Sequence, residues 1–298
     1  LGIAFAVLWS SAFSTAKVLV TYAPPFTISA VRFGLAALLA GGIALALRQP
    51  FPRGMAAVRP IILLGLCQNT AYLGLFFSAM TTIPAGLAAI IASAMPLIVA
   101  AFAPLVVKER IAALKLVGLM LGFAGVIWVM GSRIVGGIDT FGVALAVFGT
   151  AALAVATLTV KLGAFGTGML MLVASQMAVG AAGCLVFALL LEDPTAITFA
   201  PTMFALLGYQ VVFPGIIATL LWFTLVKRIS TAGASAFHFL NPIFGVGFAM
   251  ILLGEPADLS DALGVALVAA GILLVNRPTA VPAKPRDTQP PSLVRPFR

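Results

Sequence analysis

Charge is what this sequence has least of. Of 298 residues, 8% are charged and 62% are hydrophobic. A soluble domain carries about 25% charged residues, and one of this size must cover its outside with polar groups. Seventeen basic and eight acidic residues cannot do that; an exterior facing lipid needs far fewer. Cysteine is nearly absent too. Cys67 and Cys184 both lie in apolar runs, which excludes a disulfide framework and leaves two small buried hydrophobes. Histidine occurs once, at His238. The Cys, His and acidic residues show no metal-ligand spacing, so neither a metal nor a cofactor is expected. Acidic residues are missing from the middles of the apolar runs. That weakens a carboxylate proton relay and disfavours a cation channel lined by carboxylate rings.

Long apolar runs are what the sequence has in quantity. A helix needs roughly 20 apolar residues to cross the hydrocarbon. Such runs fall at 2–20, 26–47, 59–80, 84–107, 112–130, 138–160, 167–190, 202–226, 231–253 and 260–276. The first is long enough to span and others follow it, so it does not read as a cleavable signal. Linkers are short and hold turn residues such as Pro24-Pro25, Gly136-Gly137 and Asp193-Pro194, which makes sequential helices antiparallel neighbours. The expected fold is an all-α polytopic membrane protein of ten transmembrane helices. The tail from Pro278, rich in Pro and Arg, reads as a disordered, solvent-exposed end.

The basic residues alternate between gaps. One set holds Arg48, Arg53, Arg59, Lys108, Arg110, Lys115, Lys161, Lys227 and Arg228, and the tail from Arg277 adds Lys284, Arg286, Arg295 and Arg298. The other set holds only Arg133, with Asp139, Glu192, Asp193, Glu255, Asp258 and Asp261. By the positive-inside rule both termini are cytoplasmic. The same bias accounts for the formal charge of +9 without any nucleic acid.

The two halves repeat each other at an offset of 146 residues. Met95-Pro96 falls over Asn241-Pro242, Glu109 over Glu255, Gly118 over Gly264, Gly125 over Gly271 and Ala88 over Ala234. The expected units are 1–130 and 131–277, with 278–298 a basic tail. Five spans per unit turn the second copy upside down. Inverted repeats suit alternating access around a site near the midplane; shared ancestry without transport is the other reading.

The ordered marks also carry a resemblance. Leu8-Trp9-Ser10-Ser11-Ala12-Phe13, Arg32-Phe33-Gly34-Leu35-Ala36, Pro96, Glu109-Arg110, the glycines 118, 122 and 125, and then Pro242, Gly254-Glu255, Gly264 and Gly271 together resemble the EamA type of drug/metabolite transporter. The likeness covers Leu1 to Val275, departing at Glu255-Pro256. It implies ten helices as two inverted five-helix repeats, a bacterial inner-membrane location and export of amino acids or related metabolites. Within the superfamily the aromatic amino acid exporters of the YddG kind are the subgroup favoured. A nucleotide-sugar or carboxylate compound is the alternative cargo.

Polar residues inside spans mark candidate sites. Gln68, Asn69 and Tyr72 lie near the middle of the third span. They either hydrogen-bond a substrate or tie helices together. His238 and Asn241 share a face of the ninth span, where the imidazole either binds substrate, carries a proton or is simply packed. Trp9, Tyr72, Tyr209 and Trp222 offer large rings with one polar handle, suited to stacking on a substrate; Trp222 also reads as an interfacial anchor. Lys17 and Arg32, the basic residues inside helices, read as gating, structural or carboxylate-binding groups, with snorkelling the bland reading of Lys17. Pro96 and Pro242 occupy matching places and are expected to kink their helices. Gly118 and Gly122 are expected to pack backbones closely, within a monomer or across a homodimer. The expected partners are a small-molecule substrate and lipid, with proton coupling left open. No His cluster, paired acidic motif or Ser–His pair supports an enzyme.

Overall fold

In hydrocarbon each backbone N–H and C=O needs a partner in its own segment, and the chain answers with helices throughout. The computed structural model describes all residues except 80, 84, 110, 132–133, 135–138, 194, 254–258 and 278–298, and the side chains of 17, 85–86, 249–253 and 259–261. The expectations placed on Arg110, Arg133, Gly136-Gly137, Gly254, Glu255-Pro256, Asp258 and the tail, and on the side chains of Lys17 and Asp261, lie outside the described residues.

The elements are α1 (Gly2–Leu19), α2 (Pro25–Ala46), α3 (Met55–Gly65), a π-helical segment (Leu66–Gly74), α4 (Leu75–Ala79), α5 (Ala85–Ala92), α6 (Met95–Val106) and α7 (Ala113–Gly131). They continue as α8 (Thr140–Leu162), α9 (Met169–Leu191), α10 (Pro201–Gln210), a second π-helical segment (Val211–Ile217), α11 (Ala218–Arg228), α12 (Thr231–Ala236), a 3₁₀ turn (Phe237–Phe239), α13 (Leu240–Leu253) and α14 (Leu259–Asn276). Among the described residues seven helical stretches are long and apolar enough to cross a membrane, beginning at residues 25, 55, 87, 113, 140, 169 and 201. The expected first, ninth and tenth spans are helical as well, on α1, on α12 through α13 and on α14. The surface is apolar: Leu105 is 77% exposed and Leu38 75%, while Gln68, Gln176 and Gln210 are fully buried. That inside-out distribution makes this a multi-pass membrane protein.

Two helix pairs dominate the packing, α2 with α9 and α7 with α14. Each pair joins segments that the 146-residue offset superposes. In the second pair glycine permits the approach. A Cβ on Gly118 would lie 2.8 Å from the Gly271 carbonyl oxygen, and one on Gly125 would lie 2.8 Å from that of Gly264. Gly118 corresponds to Gly264 and Gly125 to Gly271, so the two contacts exchange when the halves are exchanged. Contacts that trade places in this way are those a twofold relation produces.

The helices expected as continuous over 84–107 and 231–253 are each broken, at Ser93–Ala94 and at Phe237–Phe239. Pro96 and Pro242 therefore sit in the first turn of a new helical piece and do not kink a continuous one. A proline lacks the N–H that an interior turn would use, and that absence costs nothing at a helix start.

Acidic side chains close the helix ends. Asp139 caps α8, accepting from Gly142 N at 2.8 Å and Phe141 N at 3.3 Å. The Gly142 amide, then the Thr82 hydroxyl, hold this carboxyl below the usual range. Glu192 receives Phe26 N, Thr27 N and Thr27 Oγ1 at 2.7–2.9 Å, satisfying the first turn of α2. At the opposite, basic end Glu109 accepts from Thr231 N at 2.9 Å and Thr231 Oγ1 at 2.7 Å, and pairs with Lys161 at 3.3 Å.

Since backbone meets backbone at Gly118 and Gly271, a leucine at either position is expected to lower stability by about 1–3 kcal/mol. Gly34, whose Cβ would meet nothing within 4 Å, should accept alanine without loss. Thermal unfolding of the purified variants in detergent checks both.

Candidate functional site

Between the helices lies a small cavity. Trp9 and Phe13 of α1, Arg32 and Phe33 of α2, Gln68 and Asn69 of the first π segment, Pro214 and Gly215 of the second, and Thr219 of α11 line it. Its volume is about 10 Å³, on the order of one water molecule. Both π segments reach the cavity and both belong to places that the offset relates. A π turn leaves the regular ladder of hydrogen bonds and is a common device where a helix passes a functional site. In the second segment Pro214 supplies the cause, having no N–H to donate.

Polar atoms gather here, and several lack partners. Asn69 Nδ2 donates to Gln176 Oε1 at 2.5 Å, tying the first π segment to α9. Gln210 does the same work on the other side. Its Oε1 accepts from Arg32 Nη1 at 2.7 Å, and its Nε2 donates to Ala12 O at 2.8 Å and Thr15 Oγ1 at 2.7 Å. The Arg32 guanidinium also lies 4.5 Å from the centre of the Phe33 ring. Among the described residues neither amide atom of Gln68 finds a partner, nor does Arg32 Nε. Trp9 Nε1 points at the Tyr72 hydroxyl but falls short of hydrogen-bond geometry. A buried unsatisfied polar group costs about 1–3 kcal/mol. Native proteins hold few of them, so a cluster around one cavity calls for a ligand or water to complete it.

Beside the cavity lies a second cluster. His238, in the 3₁₀ turn, is ringed by Trp222 at 4.8 Å, Phe5 at 5.1 Å and Trp9 at 6.0 Å between ring centres. Its Nδ1 faces Asn241 Nδ2 at 3.0 Å, and Asn241 Oδ1 accepts from Ser10 Oγ at 3.3 Å. With the amide donating, Nδ1 is the acceptor and Nε2 carries the hydrogen, directed among aromatic rings.

Of the residues predicted from sequence, Trp9, Gln68, Asn69 and Arg32 meet at the cavity, and Tyr72 lies just behind Trp9. His238, Asn241 and Trp222 form the neighbouring cluster; Trp222 is 1% exposed and packs inside the protein. Tyr209 stands apart, bonded to Ser11 at 2.7 Å and stacked on Phe213. Gly118 and Gly122 pack helices away from the cavity, Gly122 under the Phe239 ring. Sequence reasoning passed over Gln176 and Gln210. Each is a lone amide inside an apolar run, the same signal that singled out Gln68.

A family profile settles what this architecture belongs to. The EamA-like transporter family matches residues 1–131 and again 140–277. The chain belongs to that family. Among similar proteins are "Uncharacterized transporter YvbV" of Bacillus subtilis, 28% identical over 91% of this chain and 88% of its own, and "Uncharacterized inner membrane transporter YedA" of Escherichia coli, 25% identical over 94% and 90%. A solved crystal structure at 20% identity shares the fold with a TM-score of 0.77, covering 92% of this chain and 94% of its own. Family and relatives are those of transporters and not of enzymes.

Gln68 and Asn69 are adjacent yet differ in what they touch, and replacement separates them. Asn69→Leu should cost about 1–3 kcal/mol by orphaning Gln176. Gln68→Leu, which removes an already unpartnered amide, should leave the melting temperature unchanged or raised. Thermal unfolding of the two variants distinguishes them.

Proposed function

We propose that this EamA-family protein is a secondary transporter that exports amino acids, neutral or aromatic, by alternating access. Its ten helices form two inverted five-helix repeats, with the basic end of the bundle and both termini in the cytoplasm. The observation that carries this reading is the position of the cavity. It lies between matching segments of the two halves, among the aromatic rings of Trp9, Phe13 and Phe33 and the unpartnered amide of Gln68. A site placed between related halves can open toward one face when one half rocks and toward the other when its counterpart does. The aromatic walls suit an apolar side chain, and the amide suits its polar end.

Reconstitution into liposomes preloaded with unlabelled compound tests the proposal by counterflow of labelled Phe, Tyr, Trp, Thr, Leu, Glu and a nucleotide-sugar. Saturable accumulation of neutral amino acids is expected, reduced at least about tenfold in the Gln68→Leu variant. Flux of the nucleotide-sugar alone would remove the amino-acid reading. Silence across the panel would count against transport of this kind.

A further inference from the structure

Arg32 is 5% exposed and is the charged residue among those lining the cavity. Among the described residues no carboxylate pairs with it; the ion pair seen there, Lys161 with Glu109, lies at the basic end of the bundle. A buried cation without a counter-ion is expensive in any protein interior and more so in a membrane. What it gains from the protein is one bond to a neutral amide and the faces of Phe33 and, at 5.9 Å, Phe77.

The fold supplies its own comparison. On the matching side of the molecule, the first π segment is joined to α9 by Asn69 and Gln176, two neutral amides. Here α10 is joined to α2 by Gln210 and Arg32. The two bonds join related helices at positions that do not superpose, five residues apart on one side and two on the other, and the first of them does without charge. Among the described residues Arg32 Nε finds no partner, nor does the amide of Gln68, and no Asp or Glu lines the space.

A lone guanidinium presents one fork, the match for a single carboxylate. A phosphate-rich cargo would call for several cations. The walls that surround the fork are the rings of Trp9, Phe13, Phe33 and Phe77. Among the described residues no acid lies there to pair with an ammonium group. We infer that Arg32 is the anion-binding group of the central site, and that the molecules carried are organic monocarboxylates with an apolar or aromatic body, an α-amino group being accepted but not required. This rests on the transport reading above.

The test uses the full chain in proteoliposomes, with counterflow of labelled phenylalanine and of labelled 3-phenylpropanoate. Competitors are 3-phenylpropanoate, phenylalaninamide and phenethylamine. The acid should be carried, and should compete within about threefold of phenylalanine itself. The amide and the amine, which lack the carboxylate, should be at least about 30-fold weaker. Arg32→Lys should keep that order at reduced affinity, and Arg32→Gln should bring acid and amide within about threefold of each other. If Arg32→Gln does not fold, the wild-type ranking and Arg32→Lys still decide. Phenylalanine carried, with amide and amine competing as well as the acid, would overturn the inference and leave transport standing. Absence of saturable flux for these probes and for the wider panel would overturn the transport reading and the inference with it.

Discussion

Inside a membrane a polar atom finds its partner within the protein or goes without. Most of this structure follows from that constraint. It makes the backbone helical and leaves leucine and phenylalanine on the outside. It puts Asp139, Glu109 and Glu192 at helix starts, where free N–H groups need acceptors. It also makes Asn69 reach Gln176 and Gln210 reach Arg32 across helix boundaries. The atoms that escape the rule are informative for the same reason. Four of them, the two of the Gln68 amide with Trp9 Nε1 and Arg32 Nε, belong to residues lining one cavity, while Ser29 Oγ, Gln176 Nε2 and His238 Nε2 lie outside its wall.

The pairing of halves gives that cavity its setting. The α7–α14 seam is held by glycines that the 146-residue offset relates to one another, with carbonyls against Cα atoms. Such a junction tolerates little sliding, because packed backbones leave no slack. Irregular helix sits elsewhere: at the two π segments, at the break before Met95 and at the 3₁₀ turn through His238. These interruptions lie at related positions in the two halves, and the π segments touch the cavity. On the proposed mechanism the seam is the fixed part and the interrupted helices are where the change of shape is absorbed.

Much of this was legible in sequence. Hydropathy located the helices because a lipid-facing surface leaves no other pattern, and the 146-residue offset emerged because Gly118, Gly125, Pro96 and their counterparts answer to close packing and chain breaks. Gln68 was singled out because polar atoms in apolar runs are costly, and Trp9 because its ring falls away from the interfaces; both line the cavity. The broken helices were not legible. Pro96 says where a helix cannot continue, but a kink and a fresh start share that signature. Nor could spacing divide Gln68 from Asn69, since one faces a cavity and the other a neighbouring helix by virtue of the π turn that carries both. Arg32 was flagged as gating, structural or carboxylate-binding, and only the missing counter-ion and its place in the cavity wall favour a ligand role.

Access to the central cavity from both faces is the claim on which the account turns. In a variant with Cys67 and Cys184 replaced by alanine and Gln68→Cys introduced, a membrane-impermeant thiol reagent can be applied to right-side-out and to inverted vesicles. Alternating access predicts labelling at residue 68 from either side, slowed on both by a transported substrate. Labelling from one face alone, or from neither, would contradict it.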